Sequence, residues 1–75
     1  MQITYDTKAD ALYIKFQEGK FLKNKEIEEG VILDIGDKGK LLGIEILNAR
    51  SRFSLQDLAR VDIQMPLELA QGRGN

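Results

Sequence analysis

Seventy-five residues, 43% hydrophobic and 31% charged, allow one small domain with a thin core. The chain has no cysteine and no histidine, which removes disulfides, thiolate nucleophiles, thiolate metal sites and the commonest general base. A formal net charge of −1 and a pI near 5.3 argue against nucleic-acid binding through bulk positive charge.

The opening residues, "MQITYDTKAD", are polar and are read as carrying no secretory leader. No apolar run approaches the roughly 20 residues that a membrane helix needs. The expected setting is cytoplasmic, away from membranes.

Ile3 and Tyr5 alternate with Thr4, and Leu12, Ile14 and Phe16 alternate with Tyr13 and Lys15. This period of two predicts two strands. Pairing Tyr5 with Leu12 and Ile3 with Ile14 gathers the apolar residues on one face. It leaves Thr7 to Asp10 as the loop, with Asp6 and Asp10 placed to make Asx-type turn bonds. "QEGKFLKNK" reads as a loop carrying Lys20, Lys23 and Lys25. "EIEEGVILDI" reads as a strand with a bulge or bend at Gly30.

"VILDIGDKGKLLGIEIL" reads as a hairpin. Its register is set by the requirement that apolar residues share a face: Val31 opposite Ile46, Leu33 opposite Ile44, Ile35 opposite Leu42, with Lys38 and Gly39 at the turn. In "NARSRFSLQDLARV" the period lengthens. Ser54 is a candidate N-cap, Asp57 stands at N3, Phe53 is placed for a hydrophobic staple, and a helix is expected over about 54–61. "VDIQMPLEL" alternates again and predicts an edge strand or extended arm, because Pro66 cannot donate to a ladder. The expected fold is α+β: an antiparallel β-meander of four to five strands with one short C-terminal helix. Residues 1–70 form the domain and 71–75 a frayed tail.

"YDTKADALYIKF", "GVILDIGDKGKLLGIEIL" and "NARSRF" together resemble a family of short prokaryotic domains of unknown function, family 2283. The matching positions are Tyr5, Asp6, Ala9 to Ile14, Gly30 to Asp34, Gly39, and Gly43 to Leu47, within about residues 1 to 50. The resemblance implies a small antiparallel sheet with a helix and brings no established activity. It also brings the expectation of an antitoxin-like partner role beside toxin-like proteins.

The residues leave two classes of function open. In the first, the chain is a protein–protein interaction module that forms a homo-oligomer or meets another protein. Its second sheet face, with Tyr13, Ile32, Asp34, Leu41, Glu45 and Leu47, is more apolar than a solvated face usually is. An apolar arm with Ile63, Met65 and Leu67 adds contacts. In the second, Asp34 and Glu45 form a carboxylate- or metal-dependent small-ligand site. Solvated carboxylates, paired with Lys15, are the favoured account of that pair. "DIGDKGK" fails the spacing of a calcium loop and runs strand to strand, unlike a phosphate loop. Lys20, Lys23 and Lys25 around Phe21 suit a solubilising loop better than a nucleic-acid contact. Arg50 and Arg52 are assigned a local role at the start of the helix. No cofactor, metal or catalytic residue is expected, and an enzyme is not.

Overall fold

A computed structural model describes residues 1–66. Five strands, β1 (Gln2–Asp6), β2 (Ala11–Lys15), β3 (Phe21–Glu28), β4 (Val31–Gly36) and β5 (Leu41–Leu47), form one antiparallel sheet in the order β1-β2-β5-β4-β3. Two single-turn helices follow, α1 (Ala49–Arg52) and α2 (Leu55–Leu58). The architecture is the expected α+β sheet, with a meander β3-β4-β5 and the β1–β2 hairpin attached to β5.

The first hairpin has the register that its alternation predicts, Ile3 opposite Ile14 and Tyr5 opposite Leu12. Asp6 organises the loop: its Oδ1 accepts from the backbone N–H of Lys8 at 2.9 Å and of Ala9 at 3.1 Å. Asp10 closes the loop in the left-handed region, φ 54°, which a short polar side chain tolerates.

The stretch read as a lysine loop is instead largely a strand. Phe21–Glu28 pairs along β4, so the fifth strand comes from here rather than from the C-terminal arm. Its alternation is hidden by two bulges, which leave Leu22 and Ile27 without direct partners. Gly30 is not a bulge inside one strand. At φ +79° it turns β3 into β4.

Val31–Ile46, Leu33–Ile44 and Asp34–Gly43 pair as expected, but Ile35 meets Leu41 and not Leu42. A bulge at Leu42 breaks the register. Leu42 is buried at 7% exposure, and Gly19 and Gly36 give it room: a Cβ on Gly36 would stand 3.2 Å from both of its methyls. The segment joining β2 to β3 crosses this end of the sheet. The N–H of Phe16 donates to Leu42 O at 2.7 Å, Gln17 Nε2 to Leu41 O at 2.6 Å, and the N–H of Asp37 to Lys20 O at 3.0 Å. Lys38 (φ 61°) and Gly39 (φ +74°) form the β4–β5 turn, as predicted.

The helix expected over 54–61 is one turn. Ser54 caps it, its Oγ accepting from the N–H of Asp57 at 3.1 Å. One turn fixes several dihedrals for little hydrogen bonding and needs packing to hold it. Leu55, at 63% exposure, contributes little of it. The other turn, α1, arises where Asn48 adopts φ 54° and redirects the chain. Residues 61–66 carry no helix or strand and lie outside the sheet, so the expected edge strand does not form over them. The remainder of the expected strand (67–69) and the tail 71–75 lie outside the described residues.

Among the described residues, only Leu12, Leu42 and Ala49 are buried apolar side chains, and of these only Ala49 has no exposure. Val31, Leu33, Ile44 and Ile46, in the middle of the apolar face, are only half-buried. Among the described residues, no side chain larger than alanine is sealed from solvent.

Candidate interaction surfaces

Tyr13 organises the mixed face. It stands opposite Glu45, and its ring leans over Gly43 on β5 to reach β4, where the hydroxyl donates to Asp34 Oδ2 at 2.9 Å. From the far side Asn24 Nδ2 donates to Asp34 Oδ1 at 2.6 Å. One network therefore spans β2, β5, β4 and β3. Gly43 makes it feasible: a Cβ there would stand 2.7 Å from both Tyr13 Cζ and the Ile14 carbonyl. Partial burial first, then the bond to Asp34 and the charges of Asp34 and Glu45, raise the Tyr13 phenol above its ordinary 10.0.

The structure brings Tyr13, Asp34 and Glu45 together as the sequence suggests, with Ile32 directly opposite Glu45. Leu47 pairs with Ala11 at the far end of β5, and Leu41, 40% exposed, stands at its start beyond the bulge. Asn24 is the member that sequence reasoning misses. Its signal is its place opposite Asp34, legible only once 21–28 is taken as a strand turning at Gly30. The expected Lys15 pairing is not found. Lys15 Nζ holds Glu18 Oε2 at 2.6 Å, which lowers the Glu18 carboxyl, while both Asp34 oxygens already accept hydrogen bonds. A carboxylate so engaged has little left for a cation, and among the described residues no group of three or more Asp or Glu side chains is placed to hold one.

Arg50 and Arg52 act within the chain. The Tyr5 hydroxyl donates to Asp10 Oδ1 at 2.6 Å; the same oxygen accepts from the Arg50 N–H at 3.0 Å and lies 3.5 Å from Arg50 Nε. The Tyr5 bond, then the Arg50 N–H and charge, lower the Asp10 carboxyl below its ordinary 3.8. Arg52 donates from Nε to Leu47 O at 2.9 Å and from Nη2 to Glu29 O at 2.6 Å. Together they clasp the β1–β2 loop, the β3–β4 turn and the end of β5 around Ala49.

The other side of the sheet holds an open apolar cavity of about 210 Å³. Ile3, Leu12 and Ile14 form its floor, Phe53, Leu58 and Val61 its wall, and Asp57 and Arg60 its polar rim. Among the described residues of the C-terminal arm, Val61 is the one that reaches the sheet. Ile63 and Met65 are 58% and 57% exposed, and Leu67 lies outside the described residues.

The model of a family described as "Protein of unknown function (DUF2283)" matches residues 2–50, which hold all five strands and the segment joining β2 to β3. A protein of Methanosarcina mazei named "Putative hypoxanthine phosphoribosyltransferase" is 34% identical over 59 residues, covering 76% of this chain and 47% of that protein. The chain thus spans about half the length of the curated relative it matches. No solved structure matches the chain at a significant level. Among the described residues, no helix is long and apolar enough to cross a membrane.

Proposed function

The chain belongs to the DUF2283 family of proteins of unknown function, and we propose that it is a small, non-enzymatic protein–protein interaction module that associates with further copies of itself. One observation carries this reading. The sheet's apolar face and the segment after it leave Ile3, Phe53, Leu55, Val61, Ile63 and Met65 between 37% and 63% exposed, and among the described residues only three apolar side chains are buried. A domain of this size gains much of its stability from the little surface it hides, so leaving so much apolar surface in water is costly unless a partner covers it.

The mixed face with Tyr13, Ile32, Leu41 and Leu47 leaves room for a different protein, including a toxin-like one that this chain would neutralise. The activity in the relative's name belongs to a protein of which this chain spans 47%. We assign that activity no residues in this chain. The test is the mass in solution by sedimentation between about 1 and 200 μM. A multiple of the chain mass is expected; a strict monomer throughout would sink the proposal.

A further inference from the structure

The two edges of the sheet are built differently. β3 carries Lys23, Lys25, Glu26 and Glu28 and is bulged twice, at Leu22 and Ile27. Charges and bulges on an outer strand are the usual means by which a sheet keeps another strand from pairing with it. β1, "QITYD", has neither device. Its register along β2 is unbroken, it has no lysine, arginine or proline, and it is rich in residues that favour strands. Its one charge, Asp6, is turned to local use by the N–H groups of Lys8 and Ala9.

We infer that β1 is the contact through which two copies meet: β1 pairs antiparallel with β1 of a second copy, across a twofold axis at Thr4, into one ten-stranded sheet. This rests on the self-association proposed above and adds its geometry. An axis perpendicular to the sheet keeps each side chain on its own face, so residues pair symmetrically about Thr4. Ile3 meets the second copy's Tyr5 on the apolar face. Gln2 meets the second copy's Asp6 on the other, an amide against a carboxylate, and Thr4 meets Thr4. All five residues of the strand find partners and no like charges face each other.

The surroundings fit the same occupant. The 210 Å³ cavity lies over β1 and β2, and Phe53 (38% exposed) and Val61 (59%) form its wall. The twofold keeps both copies' cavities on one side of the joined sheet, flanking the seam. Two patches of exposed apolar side chains then border each other, and backbone pairing is reinforced by apolar burial.

The absence of cysteine makes the test direct. Thr4→Cys puts a single thiol at the axis, and the two copies' Cα atoms would stand about 5 Å apart, within disulfide reach. Mild oxidation should convert the dimer population to a covalent dimer. Lys25→Cys, on the exposed β3 edge, should give none. Thr4→Lys, at an exposed site, sets two ammonium groups face to face and should shift the sedimenting species to monomer with circular dichroism unchanged, whereas Thr4→Val should stay dimeric. A wild-type dimer in which Thr4→Cys fails to cross-link, or in which Lys25→Cys cross-links as well, overturns the β1 seam and leaves self-association standing. A wild-type monomer overturns both.

Discussion

The clasped end of the sheet and the segment that leaves it are adjacent in sequence and finished in opposite ways. From Asn48 to Arg52 nearly every group has a partner: Ala49 is sealed, Arg50 reaches Asp10, Ser51 Oγ donates to Asn48 O at 2.8 Å, and Arg52 ties Leu47 to Glu29. From Phe53 to Pro66 apolar side chains (Phe53, Leu55, Val61, Ile63, Met65) stand among polar ones and all are open, with Leu58 alone half-buried. The first region is completed by its own chain. The second leaves its large apolar side chains in water among the described residues, and the self-association proposed above would cover them.

Substitutions should separate the two regions by size of effect. Ala49→Leu forces three extra carbons into a sealed site and is expected to cost about 3 kcal/mol, seen as an earlier urea midpoint. Gly30→Ala should cost about 1–2 kcal/mol. The residue sits at φ +79°, and the new Cβ would stand 2.7 Å from Arg52 Nη2, so strain and a disturbed clasp add together. Arg52→Ala, which removes two exposed hydrogen bonds, should cost about 1 kcal/mol, a fall in Tm of about 4–8 °C. Met65→Ser, measured where the protein is dilute, should change stability by less than about 0.5 kcal/mol. A loss as large as that of Arg52→Ala would show that the open segment packs on its own chain and would dissolve the contrast.

Acid gives a further handle on the clasp. The Asp10 carboxyl is held below its ordinary 3.8, so its contribution is present above that value and is lost as the pH falls through the lowered folded-state value. Urea midpoints measured from pH 5 down to 2 should decline, and Asp10→Asn should flatten the decline. An unchanged slope in the variant would remove Asp10 from the account.

The hairpins were legible because alternation and turn chemistry agree there. Tyr5–Leu12, Leu33–Ile44 and the Lys38–Gly39 turn follow from the residues alone. β3 was hidden for a physical reason: bulges at Leu22 and Ile27 shift the phase of its pattern, and its outward edge lets lysine stand where a central strand would show valine. The Leu42 bulge depends on Gly19 and Gly36, which lie elsewhere in the chain, so no local pattern marks it. Of the mixed face, Asp34 and Glu45 could be singled out by type. The use of Asp34 as an acceptor for Tyr13 and Asn24 required the order of the strands.

That order also bears on how the chain reaches its native state. β3, β4 and β5 are joined by short turns and can zip in sequence, as can β1 with β2. The β2–β5 ladder is different: it joins Ala11 to Leu47 and Lys15 to Gly43, the most distant partners in the sheet. Closing the loop between them costs chain entropy before any of its contacts form. The two hairpin units are therefore expected to assemble early and dock late, with Tyr13 settling over Gly43 in the docking step. In refolding experiments a substitution in the early-forming β3–β4 turn would slow the folding limb, whereas one at the late-forming seam, such as Gly43→Ala, would chiefly speed unfolding.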